Sequence, residues 1–379
     1  MVFAVKLIDR YLGIPICSFL GFFRRKKDET HADCRKILVV QLWGIGETVL
    51  VLPSIEALRK KFPDAEIDVL ATRRNKDVFF GNKNISGLKL VSLNPFSILK
   101  FIFGNAGKYD LVLDMEEYLN ISAILSFFAG KKIVGFSHGA RSKLYDCKVK
   151  YNDKQHAVQT FLDLVREMKI NYDADRLPKL DYSKADENKV KKFLKNNRIK
   201  SRDFLAVAAP GAAESARSRM WPSERYAELC DELVNRYNAK IVFTGTPEEN
   251  QLIKSVQEKM EKKESTFNAA GEINLNQLFC LIEKSKLFIG NDSGPMHIAA
   301  AQGVKTLGLF GPNLPIRFGP YGKNGIGLYK GYNCEFSPCI NVHKGQVPDC
   351  LYPRNSNDYQ KCMKNISVDD AIKEVEKMV

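Results

Sequence analysis

The chain is expected to fold as two doubly wound α/β domains in series. Three observations predict this. Its 379 residues exceed one ordinary domain and suit two. Short apolar, β-branched runs alternate with helical periodicities, the pattern of βαβ units and parallel sheets. Several of those runs end in a turn containing Gly or Pro, where ligands gather in sheets of this kind. A composition of 45% hydrophobic and 27% charged residues excludes a disordered chain.

The first series opens at Lys36–Leu42, a near-continuous apolar run suited to a strand buried on both faces. Gly44 and Gly46 break it. A helix follows over Thr48–Lys61, with Val49, Leu52, Ile55 and Leu58 on one face and Pro53 in its first turn or two. Glu66–Ala71 and Lys108–Asp114 read as strands, Asn120–Phe128 as an apolar helix and Lys132–Phe136 as another strand. A linker is expected over Arg176–Ser183, then a basic helix, Ala185–Asn196, whose charges suit a solvated face. The second series runs strand Leu205–Ala209, helix Pro222–Tyr237, strand Lys240–Thr244 and helices Glu249–Lys262 and Asn276–Glu283. It closes with strand Leu287–Gly290, helix Met296–Gln302 and strand Val304–Phe310.

Ahead of the first strand, an uncharged stretch separates Arg10 from Arg24. As a helix it would reach roughly 20 Å, short of the roughly 30 Å hydrocarbon core, and Gly13, Pro15 and Gly21 interrupt it. Val5, Ile8 and Leu12 stand at helical spacing before it, and Arg24, Arg25, Lys26 and Lys27 follow. An apolar wedge beside a basic cluster suits a segment lying on an anionic membrane surface. The alternative is an amphipathic helix docked on the protein's own core. Asp9 and Arg10 precede the apolar stretch and no small-residue cleavage site follows, so a secretory signal is not indicated and a cytosolic chain is expected.

Three strand-to-helix loops carry chemistry. Trp43-Gly-Ile-Gly-Glu47-Thr48 lacks the third glycine of a dinucleotide fingerprint and the Gly-Lys-Ser/Thr of a triphosphatase loop. Glu47 there either complements the helix dipole or faces a ligand as a general base. Pro210-Gly211 to Trp221-Pro222 combines small residues, Ser215, Arg217 and Arg219 before a helix, which suits a phosphate or diphosphate, or else is an exposed basic loop. Gly290-Asn-Asp292-Ser293-Gly294-Pro-Met-His297 puts an acid, a hydroxyl, a glycine and an imidazole at a helix start. One cap explains Asp292 or Ser293 but not all four.

These loops in order closely resemble glycosyltransferase family 9, the bacterial heptosyltransferases of lipopolysaccharide core synthesis. The resemblance covers most of residues 35–379. It rests on the first-strand loop with Leu52-Pro53, Arg219-x-Trp221-Pro222, Thr244-Gly245 and, most specifically, Asn291 to His297. It implies a GT-B fold of two Rossmann-like domains facing a cleft. Residues 1–34 are then a membrane-associating segment, 35–180 the acceptor domain, 181–330 the nucleotide-sugar donor domain and 331–379 a Cys-containing tail. The implied reaction is inverting, metal-independent transfer of a heptose from ADP-heptose to a lipopolysaccharide core or lipid A-type acceptor. No cofactor is expected, and the sequence shows no Asp-x-Asp metal site in a suitable loop. Glu47 stands where the family usually has an aspartate general base, one methylene shorter. Arg219 and Ser215 fall where the family contacts the donor diphosphate, and Glu249 where an acid binds the ribose. Asp292 matches an acid that grips the sugar hydroxyls, and Ser293, Gly294 and His297 line diphosphate and sugar. The resemblance leaves open another nucleotide sugar or glycan, or an inactive sugar-nucleotide-binding protein.

The formal charge of +14 calls for an anionic partner. No basic–aromatic recognition motif supports nucleic acid. A monomer peripheral to the inner face of the cytoplasmic membrane is expected instead. Of nine cysteines, Cys334, Cys339, Cys350 and Cys362 lie in the tail, where metal, disulfides and free thiols all stay open. Ile366–Val379 reads as a last helix capped by Ser367, which in GT-B proteins often packs back onto the first domain.

Overall fold

The computed structural model describes residues 7–24, 34–212 and 214–379. The chain forms two compact units, one of residues 1–174 with 342–345, the other of 175–341 with 346–379.

The first unit is built on a parallel sheet of β1 (Lys36–Val40), β2 (Glu66–Ala71), β3 (Gly87–Leu90), β4 (Tyr109–Asp114), β5 (Gly130–Phe136) and β6 (Cys147–Val149), ordered β3-β2-β1-β4-β5-β6. Its helices are α1 (Ile14–Gly21, preceded by a π-helical turn at Asp9–Gly13), α2 (Ile45–Lys61), α3 (Pro95–Asn105), α4 (Asn120–Ala129) and α5 (Ala157–Arg166). Alternation along the strands sends Leu38, Val40, Val112 and Ile133 into one cluster with Cys17 of α1, Phe101 of α3 and Leu125 of α4. Ile37, Val39, Ile67 and Val69 are buried on the opposite face, and α2 and α5 pack on each other. Because α2 begins at Ile45, three residues earlier than the periodicity predicts, Pro53 lies in mid-helix rather than near its start.

The second unit repeats the topology with β7 (Leu205–Ala209), β8 (Lys240–Phe243), β9 (Thr266–Asn268), β10 (Leu287–Asn291), β11 (Lys305–Phe310) and β12 (Gly325–Tyr329), ordered β12-β11-β10-β7-β8-β9. The helices are α6 (Lys184–Asn196), α7 (Ser223–Tyr237), α8 (Asn250–Lys259), α9 (Leu275–Glu283), α10 (Gly294–Ala301), α11 (Pro315–Phe318), α12 (Lys361–Lys364) and α13 (Val368–Met378). In each unit the strand order reverses at one place, between β1 and β4 and between β7 and β10. The carboxyl ends of those strands are where a doubly wound sheet opens a ligand crevice.

Helix α13 is capped by Ser367 as predicted. It packs on α7, β11 and β12 within the second unit. Val368, Ile372 and Val375 give it an apolar face that joins the core under Trp221. The part of the tail grouped with the first unit is Val342–Gly345, where His343 stacks on Tyr151 with ring centroids 4.3 Å apart.

Candidate functional site

In the first unit, Glu47 sits in the first turn of α2 and is half-buried. It lines a small cavity with Gln41, Trp43, Glu116, Glu117 and Tyr118. Its carboxylate folds back over Gly44. A Cβ built on Gly44 would stand 1.6 Å from Glu47 Oε2, so only glycine allows this position. Glu116, after β4, holds the loop that carries Glu47. Its Oε1 accepts from Leu42 N at 2.5 Å, Trp43 N at 2.8 Å and Gln41 Nε2 at 3.2 Å. Burial pushes the Glu116 carboxyl up to about 8, and the Asp114 charge adds to this against the bonds from Leu42 and Trp43.

Behind Glu116 lies a buried ionic cluster. Asp114 Oδ2 pairs with Arg141 Nη2 at 3.0 Å and accepts from Tyr145 at 2.6 Å and Ser122 at 2.9 Å. Beside the cavity, the Tyr151 hydroxyl donates to the Glu117 carboxylate, and His138 Nε2 meets the Glu117 carbonyl at 2.5 Å. Burial, then Arg141, pulls the His138 imidazole below its usual range. The sequence reading missed Glu116, Asp114 and Arg141. The acids stand in the string Asp-Met-Glu-Glu at the end of a predicted strand, which was the available signal.

In the second unit, Asn291 organises the switch point. Its Oδ1 accepts from Trp221 N at 3.1 Å and Tyr226 at 3.2 Å, and its Nδ2 donates to Pro210 O at 2.8 Å and Gly211 O at 3.2 Å. It thus fastens the β7 loop to the β10 loop. Arg219 Nη1 reaches Asp292 O at 3.1 Å and Asp292 Oδ2 at 3.4 Å, while Asn313 Nδ2 donates to Asp292 Oδ2 at 2.9 Å. Arg219 Nε is buried with no acceptor, and Ser293 Oγ is buried with no partner. Ser293 occupies the N-cap position of α10 but its side chain makes no capping bond, so capping does not explain that hydroxyl. Gly294 begins α10, and His297 is buried one turn in. The fold therefore brings Arg219, Asp292, Ser293, Gly294 and His297 to one place.

Glu249 lies at the ends of β7 and β8, against Gly211. Its Oε2 accepts from Thr246 N at 2.7 Å. Cβ atoms built on Gly211 and Gly245 would stand 1.9 Å and 2.8 Å from its carboxylate oxygens, so two glycines cradle it. Ser215 belongs to the 3₁₀ turn Glu214–Arg219, and its side chain lies outside the described residues.

Cys334, Cys339, Cys350 and Cys362 form no disulfide, and Cys334 and Cys362 are buried in the core of the second unit. Burial pushes the Cys362 thiol up to about 12 and Cys339 to about 11, which suppresses thiolate reactivity. Among the described residues, no set of three or more His, Cys, Asp or Glu side chains is arranged to hold a metal ion.

Two parallel six-stranded sheets, each with its ligand end at a β-strand switch point, are the architecture of the GT-B fold class. A comparison with known proteins is more specific. Residues 105–344 match the profile of glycosyltransferase family 9 (heptosyltransferase). The chain belongs to that family. The matched stretch contains the Arg219 and Asp292 loops and begins after Glu47. Lipooligosaccharide heptosyltransferase 2 of Haemophilus influenzae is 28% identical over 298 residues, covering 74% of this chain and 84% of that protein. Lipopolysaccharide heptosyltransferase 3 of Escherichia coli is 24% identical over 302 residues, covering 76% and 85%. The crystal structure of a family 9 glycosyltransferase from Veillonella parvula superposes with a TM-score of 0.76 at 24% identity, over 92% of this chain and 98% of that one. The ADP-heptose lps heptosyltransferase II of E. coli superposes with a TM-score of 0.70 at 19% identity, over 90% and 98%.

Proposed function

We propose that the protein transfers a heptose from ADP-heptose to a lipopolysaccharide-core acceptor by single inverting displacement without a metal. The acceptor hydroxyl oxygen attacks the anomeric carbon as the bond from that carbon to the diphosphate oxygen breaks. The hydroxyl proton passes to the Glu47 carboxylate, and ADP leaves with the bonding pair. The departing charge is met by Arg219, by the N-terminus of α10 and by the Ser293 hydroxyl. Asp292 and His297 bind the sugar side of the donor, Gly294 lets the diphosphate approach the helix end, Ser215 contacts phosphate, and Glu249 takes the ribose hydroxyls. The observation that carries this reading is the pair of buried, unused donors, Arg219 Nε and Ser293 Oγ, at the start of α10. Burying such groups without partners costs about 1–3 kcal/mol each, which an incoming anion would recover.

Because the acceptor is a glycolipid, the enzyme works as a cytoplasmic protein peripheral to the inner face of the membrane. Support comes from the apolar N-terminal segment. No helix among the described residues is long and apolar enough to cross a membrane. The basic cluster Arg25–Lys27 lies outside the described residues.

A thermal-shift panel tests the donor. At a thousandfold excess over Kd, a ligand of the native state stabilises by about 4 kcal/mol. ADP-heptose should raise the melting temperature, and UDP-sugars at equal concentration should not. The reverse ranking defeats the donor assignment. Glu47→Gln should retain the ADP-heptose shift and lose turnover at least roughly a hundredfold. Undiminished turnover removes Glu47 as the base.

A further inference from the structure

Twenty large apolar side chains are exposed among the described residues, and their distribution is uneven. Nine lie between Leu7 and Phe23, and three more, Phe96, Leu99 and Phe103, lie on α3.

The N-terminal helix is docked with its faces reversed from the usual order. Gly13, Cys17 and Gly21, at spacing i, i+4, i+8, form the seam against the protein. Cβ atoms built on Gly13 and Gly21 would stand 2.6 Å from Asn120 Cβ and 2.8 Å from Lys143 Cβ, and Cys17 is fully buried. The Asp9 carboxylate accepts from the backbone N–H groups of Asn120 at 2.9 Å and Ile121 at 2.8 Å, fixing the segment to the start of α4. The large side chains point the other way, with Phe22 87% exposed and Phe19 63%. A helix serving only the core would bury its phenylalanines and expose its small residues. The docked reading of the segment therefore holds on one face, and the opposite face is left exposed for a partner.

Helix α3 repeats the arrangement. Phe101, with Ile98 and Ile102, packs into the cluster under the sheet. Phe96 and Phe103, 80% and 81% exposed, and Leu99 stand on its outer side at spacing i, i+3, i+7. Both α1 and α3 contact α4, and both place their buried residues in that same cluster. Their exposed faces thus belong to the outside of one helical layer.

Charge selects what covers this face. Residues 10–27 contain Arg10, Arg25, Lys26 and Lys27 and no acid, while a fifth cation, Arg24, is turned inward and pairs with Asp146. Residues 92–108 contain Lys100 and Lys108 and no acid. Asp9, just ahead of the N-terminal stretch, is turned inward onto α4. A second copy of this chain docked face to face would set the exposed Arg10, Lys100 and Lys108 against like charges. Anionic lipid headgroups around an apolar interior match both halves of the pattern.

We propose that α3 is a second membrane-inserting element, whose Phe96, Leu99 and Phe103 enter an anionic bilayer beside the N-terminal helix while Lys100 meets the headgroups. This rests on the peripheral-membrane reading above and extends it to an element that the sequence did not single out. Two anchoring elements on one layer would fix orientation as well as attachment, since a single helix leaves rotation about its axis free.

The experiment is sedimentation of the full chain with vesicles of phosphatidylcholine alone or with phosphatidylglycerol. Three variants are compared with wild type: Phe96→Ser with Phe103→Ser, Phe19→Ser with Phe22→Ser, and Lys100→Gln. All replaced side chains are exposed, so melting temperatures should match wild type. Wild type should bind the anionic vesicles. The α3 pair should weaken binding at least roughly tenfold, and Lys100→Gln by about fivefold. If the Phe19/Phe22 pair loses binding while the α3 pair binds like wild type, the α3 proposal is overturned and the peripheral-membrane reading stands. If wild type ignores both vesicles, the reading and the proposal fall together. If wild type is a dimer by light scattering and the α3 pair a monomer, the face is a protein interface and the proposal is wrong.

Discussion

Replacing Glu116 tests whether a buried carboxyl governs the loop that presents Glu47. In the folded chain its carboxyl is pushed from the ordinary 4.5 up to about 8, mainly by burial. The native state therefore holds this proton more tightly than the unfolded chain. The resulting contribution to stability is complete below about pH 4.5, declines as pH rises, and is gone above about pH 8. A displacement of that size corresponds to about 5 kcal/mol between the ends of the window. Glu116→Gln keeps the shape and removes the titration. Thermal melts at half-unit intervals from pH 4.5 to 9 should show wild type losing stability relative to the variant across that window. Parallel curves would refute the reasoning. Glu116→Ala makes a separate point. It strips the acceptor from Leu42 N and Trp43 N, about 1–3 kcal/mol for each buried donor left unpaired. For a unit of this size the melting temperature should fall by roughly 5–15 °C, and an unchanged value would mean that the loop finds other partners.

Three further outcomes follow from the same geometry. Gly44→Ala drives a methyl into Glu47 Oε2, so kcat should fall at least roughly tenfold while the ADP-heptose thermal shift persists; wild-type kcat would show that Glu47 need not fold over Gly44. Arg219→Lys keeps the charge but discards Nε and the planar fork, so donor KM should rise roughly tenfold or more with an unchanged circular dichroism spectrum, and an unaltered KM places the diphosphate elsewhere. Asn291→Ala removes four hydrogen bonds at the second switch point, and denaturant melts should show a loss of about 2–4 kcal/mol; a smaller loss would mean that water replaces the amide.

The buried central strands were legible because burial on both faces leaves an unbroken apolar run. β2 spans Glu66–Ala71 as read, and β7 spans Leu205–Ala209 as read. The strands missed were β3, β6, β9 and β12, all toward the sheet margins and three to five residues long. Gly87–Leu90 alternates half-buried with exposed and Thr266–Asn268 is only three residues, so neither makes a run. α3 was missed for a related reason. Apolar on both faces, it has no polar side to give it a period. At the site, loops with glycines and hydroxyls announced themselves. Asn291 stood in one of those motifs, but its role did not show, because that role is to join Trp221, Tyr226 and Pro210 across 65 to 81 residues of sequence. Glu116 was hidden likewise, since nothing local says that its oxygen will serve three donors in the Gln41–Trp43 stretch.

The two units share one topology yet differ in chemistry at corresponding positions. The loops after the two strands flanking the first switch point contribute Glu47, Glu116 and Glu117. The corresponding loops of the second unit contribute Arg219, Ser293 and His297 around Asp292. An inverting displacement needs a base for the acceptor proton and donors for a departing diphosphate. Placed together in one loop, a carboxylate base and a diphosphate-binding arginine would pair and quench each other, as Arg219 already partly does with Asp292 at 3.4 Å. Duplicating the sheet lets each sign be concentrated on its own scaffold. It also clarifies the net charge of +14. Little of it serves the proposed donor site, to which the loop before α7 brings Arg219 beside Asp292. A distinct share, Arg10 and Lys100, lies on segments with exposed apolar faces, and Arg25–Lys27 follow one of them in sequence, while Arg24 is paired with Asp146. On this reading the excess charge is mainly a property of how the enzyme meets an anionic membrane, and raising ionic strength should weaken vesicle binding far more than donor binding.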